Sequence, residues 1–168
     1  MERGSRIFDQ LIVAILCNPE KDPLFSLEER REMLEALTMP FDNVTVSSFD
    51  GLLVDFARQV NATAVLRGIR AISDYEYELQ MALMNRKLEP TLETVFLTAA
   101  ESYSYVSSRI VKDIARLGGT VHGMVPELVE KTLERKLRQK APEPEAATSN
   151  RPRLARMPAG KSRPGNSK

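Results

Sequence analysis

Residues Val65–Asn85, VLRGIRAISDYEYELQMALMN, join a short apolar run to a long segment of helical period through a turn that carries two arginines around a glycine. A strand, a charged turn and a helix in that order form the repeating unit of a parallel α/β fold. The same alternation extends outward in both directions. LIVAIL, VTVSSF, TAVLR and TVFLTA read as strands. SLEERREMLEALT, GLLVDFARQV and SDYEYELQMALMNRKL read as the helices between them, and SSRIVKDIARLGG and PELVEKTLERKLRQK as two that follow the last strand. Ser26 with Glu29, and Ser73 with Glu76, have the spacing of capping boxes. Gly118 and Gly119 are placed to stop the fourth helix, and Pro126 suits the first turn of the fifth. The expected architecture is α/β, a Rossmann-like parallel sheet flanked by helices.

At 168 residues the chain holds one domain with a full-sized core. Its formal charge of +1 is unevenly spread. After residue 140 six Lys or Arg stand against two Asp or Glu, so the body carries −3 and the end +4. Residues 141–168 contain five of the ten prolines and no apolar periodicity, which predicts a disordered basic tail beyond a domain at 1–140. The GKS at Gly160–Ser162 is not a phosphate-binding loop, because Ala155 replaces the first glycine and no strand precedes it. A single cysteine, Cys17, excludes an internal disulfide. LIVAILC is far too short to span a bilayer, and the charged start MERGSRIFDQ is unlike a signal peptide. These features predict a cytoplasmic chain that engages neither membrane nor nucleic acid.

In an open parallel sheet, ligands bind beyond the carboxyl ends of the strands. The first strand leads to CNPEKDPLFSLEER with Lys21, the third to Arg67, Gly68 and Arg70, and the last to the hydroxyl-rich ESYSYVSSR ahead of a helix. An ammonium, two guanidiniums and a helix N-terminus on one rim suit a polyphosphate. Each has a plainer reading. Lys21 can be a solvated loop residue. Arg67 and Arg70 can pair with Asp74 and Glu78, and Ser107 and Ser108 can be ordinary caps. The one histidine, His122, sits in a loop and reads as structural or idle. The tyrosines and methionines of Tyr75–Met84 read as packing residues.

RGIRAISDYEYELQMALMNRKLEP, with FSLEERREML before it and YSYVSSRIVKDIARLGG after it, resembles the bacterial phosphopantetheine adenylyltransferases of the nucleotidylyltransferase superfamily. The similarity runs from about Glu2 to about Lys136. It implies an enzyme of coenzyme A biosynthesis that joins 4′-phosphopantetheine to the AMP part of ATP, with Mg2+ accompanying the ATP. Partners implied are those two substrates and further copies of the chain, a homohexamer in the family. On matching positions, Lys21, Leu53 and Arg67 would face phosphopantetheine. Gly68, Ile69, Arg70, Glu78 and the segment Tyr103, Ser104, Tyr105, Val106, Ser107, Ser108 and Arg109 would face ATP. Lys21 and Arg70 would be the catalytic cations, with no metal ligand among the side chains. Arg109 departs from the family, where many relatives carry a third serine; a guanidinium there serves a phosphate as well.

A larger departure lies at the start. Members of the family open with a strand and a loop ending in Gly-His before the first helix, and MERGSRIFDQ matches only the later part of that helix. His122 lies on the wrong side of the chain order to replace that histidine. The resemblance therefore implies an N-terminally shortened domain whose central strand is missing and whose neighbouring strands keep unpaired edges. It leaves two readings open, an adenylyltransferase read from an internal methionine and an inactive module that binds ATP or coenzyme A.

Overall fold

The computed structural model describes residues 1–18 and 23–140; Lys21 and the tail at 141–168 lie outside the described residues. The four β-branched runs form strands β1 (Leu11–Leu16), β2 (Val44–Phe49), β3 (Ala64–Ile69) and β4 (Glu93–Thr98). Around them run α1 (Glu2–Ser5), α2 (Leu27–Thr38), α3 (Leu53–Gln59), α4 (Ile72–Leu88), α5 (Ser108–Arg116) and α6 (Glu127–Lys140). Each strand and helix lies within a residue or two of its expected place. None of these helices is long and apolar enough to cross a membrane.

All pairing is parallel, as the alternation of strands and helices requires. The strands form two sheets, β1 with β2 from Leu11↔Val44 to Leu16↔Phe49, and β3 with β4 from Ala64↔Glu93 to Ile69↔Thr98. Among the described residues no ladder joins β1 to β3. The short α1 bridges the pairs instead: a Cβ on Gly4 would meet Leu66 of β3 at 2.8 Å and Leu11 of β1 at 3.1 Å. A Cβ there would make the ends of both leucine side chains shift. Arg3 Nη1 donates to the Thr98 carbonyl at 2.5 Å, and Asn43 donates to the carbonyls of Ser5 and Phe8 at 2.8 and 2.9 Å.

Helix α3 follows β2 but packs on β3. Val54 and Ala57 are buried with Leu92, against Val65 and Ala62. At its foot Phe49 and Phe56 stack with centroids 4.6 Å apart. A second cluster joins Val111 of α5, Val121 and Leu133 of α6, all but fully buried, to Leu24, Phe25 and Val106. The loop after β1 and the loop after β4 therefore share one apolar anchor.

The helix ends follow local chemistry. The Ser26–Glu29 capping box is formed, with bonds of 3.1 and 2.8 Å. The Ser73–Glu76 box is not. Helix α4 begins two residues before the expected first turn, with Ala71 at its cap and no side-chain cap bond there. Asp74, three residues on, instead accepts the backbone N–H of Arg70 at 3.3 Å, just ahead of the helix. Helix α5 ends in a Schellman motif: Gly118 has φ +78°, its N–H reaches Ala115 O, and that of Gly119 reaches Ile114 O. Asn61, at φ +54°, ends α3 in the same way, with bonds from Asn61 and Ala62 to Arg58 O and Ala57 O. Pro126 sits at the cap of α6, where its carbonyl accepts from Val129 and Glu130.

Glu29 also binds Lys136 Nζ through both oxygens, at 2.7 and 2.8 Å, which fastens α6 to the start of α2. This ammonium holds the Glu29 carboxyl below its usual 4.5. A depressed carboxyl contributes stability that is present above 4.5 and is lost as pH falls through the lower folded value. We expect Lys136→Met to lower the midpoint of urea unfolding near pH 7, and the gap from the parent to narrow as pH falls below the usual carboxyl value of 4.5. A constant gap over that range would assign the effect of Lys136 to its aliphatic stem.

Candidate functional site

Parallel pairing brings the carboxyl ends of β3 and β4 to one edge. Ala99 N–H reaches the Ile69 carbonyl at 2.8 Å, one step past the last paired residues, so the two chains leave the sheet together. On one side Gly68 and Ile69 end β3, which runs two residues past its expected end, and Arg70 follows. On the other, a single 3₁₀ turn at Glu101–Tyr103 and a turn at Ser104–Tyr105 lead to Val106 and Ser107. Ser107 Oγ accepts from Ile110 N–H at 3.2 Å as the cap of α5. The N–H groups of Ser108 and Arg109 have no acceptor one turn back within α5, by their position in its first turn. Such an end attracts anions.

Arg67 projects from β3 and makes a two-pronged bond to Glu78 of α4, Nε to Oε2 at 2.7 Å and Nη2 to Oε1 at 2.5 Å. Glu78 is nearly buried, at 13% side-chain exposure, and Arg67 is half exposed, at 46%. The bond to Glu78 raises the guanidinium above its ordinary value against the opposing effect of burial. Two of the five N–H groups of Arg67 are used here, so three remain for another acceptor. Arg70 binds Asp74, Nε to Oδ2 at 2.9 Å and Nη2 to Oδ1 at 3.3 Å, while its Nη1 donates to the Val106 carbonyl at 2.6 Å. That last bond joins the end of β3 to the segment capping α5. The Asp74 carboxyl is held below its usual value, chiefly by the Arg70 side chain.

The remaining expected residues are spread around this centre. A Cβ on Gly68 would meet no described atom within 4 Å, so its bare backbone leaves open surface at the strand end. Tyr103, Ser104 and Tyr105 are exposed, and Ser104 Oγ donates to Glu101 O. Arg109 is almost wholly exposed and reaches only as far as 3.9 Å from Asp113. Leu53 begins α3, past the carboxyl end of β2, on the helix that packs against β3. Lys21 lies outside the described residues. His122 is off this rim, with Nδ1 at 3.2 Å from Glu130. Among the described residues no three His, Cys, Asp or Glu side chains gather to hold a metal ion, and Asp74 and Glu78 are occupied by arginines. The rim is built of donors, which suits phosphates. Sequence reasoning missed the Arg3–Thr98 bond, for which no local pattern exists across 95 residues.

Removing Glu78 leaves a half-buried guanidinium without its partner. Glu78→Ala is expected to cost about 1 kcal/mol in chemical denaturation, discounted for the solvent that reaches Arg67. Arg67→Met added to it should recover most of the loss. Full additivity of the two changes would show that they do not act as a pair.

Comparison with known proteins agrees with the geometry. The family profile of cytidylyltransferase-like proteins matches residues 1–114. The chain is 52% identical over 138 residues to the phosphopantetheine adenylyltransferase of Desulfatibacillum aliphaticivorans, covering 82% of this chain and 79% of that protein. It is 50% identical over 139 residues to that of Caldanaerobacter subterraneus subsp. tengcongensis, covering 83% and 87%. It is 56% identical over 126 residues to that of a Synechocystis strain, covering 75% and 79%. With a parallel α/β frame, a donor-lined rim at its strand ends and relatives at this level of identity over most of their length, the chain belongs to the phosphopantetheine adenylyltransferase family.

Proposed function

We propose that the chain transfers the adenylyl group of ATP to 4′-phosphopantetheine, giving dephospho-coenzyme A and pyrophosphate. The observation that carries the reading is the Arg70–Val106 bond, which sets a guanidinium from the end of β3 against the N-terminal end of α5. Two kinds of phosphate-binding element then share one edge, as a nucleoside triphosphate needs. A phosphate oxygen of phosphopantetheine attacks the α-phosphorus of ATP. The new P–O bond forms as the α–β bridging bond breaks, and pyrophosphate leaves with the electron pair. No covalent enzyme intermediate is involved, so positioning and neutralisation of charge supply the catalysis.

Arg67, Lys21 and Leu53 form the phosphopantetheine side, with Arg67 holding the acceptor. Arg70, Gly68, Ile69, Glu78 and Tyr103–Arg109 form the ATP side, and Lys21 and Arg70 face the reacting phosphates. Mg2+ would accompany ATP and neutralise charge on its phosphates; the rim carboxylates of Asp74 and Glu78 are engaged by arginines, so the triphosphate itself would bring the ion. The reaction belongs to the cytoplasm, where both substrates are made. Helix α4 exposes Ile72, Tyr77, Leu83 and Met84, an apolar surface that supports assembly with further copies of the chain.

Arg67→Ala is expected to weaken phosphopantetheine binding about tenfold or more while leaving ATP binding nearly unchanged, and Arg70→Ala to do the reverse. Calorimetric titration with each ligand checks this. Equal losses of both ligands in either variant would overturn the division of the rim.

Donors aimed at the α-phosphoryl group set the rate of such a transfer, and each contributes roughly a hundredfold to a thousandfold. The family's Gly-His loop supplies donors of this kind, and MERGSRIFDQ contains no histidine. A polypeptide limited to these 168 residues is expected to bind ATP weakly and to release pyrophosphate below detection, the proposed transfer requiring a Gly-His loop joined to them. Fusing a family-type strand and Gly-His loop ahead of Glu2 should bring turnover up by about a hundredfold or more. Robust release by the unfused chain would remove the histidine from the mechanism, and a folded fusion that binds ATP without turnover would mark a binding module.

A further inference from the structure

Asp74 has no part in the substrate contacts proposed above, yet it governs the most connected side chain on the rim. It takes two N–H groups from the Arg70 guanidinium and the backbone N–H of Arg70 at 3.3 Å, so both ends of that residue are held. As an i,i+4 ion pair with side chains 39% and 26% exposed, the Arg70–Asp74 contact contributes little to stability by itself. The unusual feature is the third bond, from Nη1 to the Val106 carbonyl across 36 residues. With three of five N–H groups engaged, Arg70 keeps two for a ligand, and their direction is set because the planar fork is fixed by Asp74.

We infer that Asp74 is a positioning residue for the nucleotide: it holds Arg70 in the orientation that both carries the Val106 carbonyl ahead of α5 and offers its remaining N–H groups to the phosphates of ATP. This rests on the reading of the rim as an ATP site. Without Asp74 the long Arg70 side chain regains its rotamers, and ordering it again weakens every phosphate contact it makes. The effect passes wholly through Arg70. A carboxylate that served only to complement the first turn of α4 would act whether or not residue 70 were an arginine.

The test is a double-mutant cycle on the full chain, with ATP affinity read by titration calorimetry for the parent, Asp74→Asn, Arg70→Ala and the double variant. Asp74→Asn should weaken ATP about tenfold, Arg70→Ala at least as much, and the double variant should bind no more weakly than Arg70→Ala alone. Unchanged affinity in Asp74→Asn, or a further tenfold loss when it is added to Arg70→Ala, overturns the inference while leaving the function standing. A parent chain that does not bind ATP overturns both. If circular dichroism shows Asp74→Asn to be unfolded, Asp74→Glu, which keeps the charge but moves the carboxylate by one methylene, takes its place in the same cycle with the same outcomes.

Discussion

The parallel register of β3 and β4 is the constraint on which the rim depends. Ile69 lies opposite Thr98, and the next step is fixed by Ala99 N–H on the Ile69 carbonyl. Both chains therefore turn away at the same level, and Arg70 meets Val106 at 2.6 Å. A slip of one residue would reverse the faces of every side chain in one strand. Arg67 would turn from the face on which Glu78 waits, and Tyr75 would lose its edge-on contact with Phe96. The register is held from outside by apolar burial, because α3 places Val54 and Ala57 against Val65 and Leu92.

A second layer of coupling comes from α6. Its Leu133 sits in a cluster with residues of the segments after β1 and after β4, Phe25 and Val106 among them, and Lys136 reaches the capping box of α2. The segments after β1 and after β4 are thereby packed, through Leu24, Phe25 and Val106, on the last helix of the described residues. Core packing is dense and discrete, so a displacement of one loop is felt by the other. Helix α6 acts as a brace between these segments and the start of α2.

The strands and helices were legible from short β-branched runs alternating with longer helical patterns, and Gly118–Gly119 marked a helix end by the need for positive φ. The start of α4 was not. Ser73 looked like a cap because Glu76 follows at the right spacing, but Asp74 binds both Arg70 and the backbone ahead of the helix, and that combination draws the first turn back to Ile72. Asn61 carried no pattern that marked it, and its tolerance of left-handed backbone lets it close α3. The sheet was expected to lack a central strand, but how β1 and β3 would be linked could not be read. The bridge by Gly4 depends on a side chain that is not there meeting two leucines that are far apart in sequence. In the site, the pairing of the arginines with Asp74 and Glu78 was the plain alternative to phosphate binding, and the structure makes both pairs.

Those pairs and a phosphate do not compete for the same atoms. Arg67 and Arg70 each present the Nε and Nη2 side of the guanidinium to a carboxylate, which leaves three N–H groups on Arg67 and, after the bond to Val106, two on Arg70. The pairs are also nested: Arg70 binds Asp74 four residues on, and Arg67 binds Glu78 eleven residues on. Nesting is what a helix running back along its preceding strand produces. Three residues of strand cover about 10 Å and four residues of helix about 6 Å, so each arginine finds its own acid within the reach of the long side chains. Arg67 and Arg70 are thus each compensated by a carboxylate and still keep N–H groups that it does not use. The loss of side-chain entropy falls on folding, where the ion pairs offset it, and little of it remains to weaken binding.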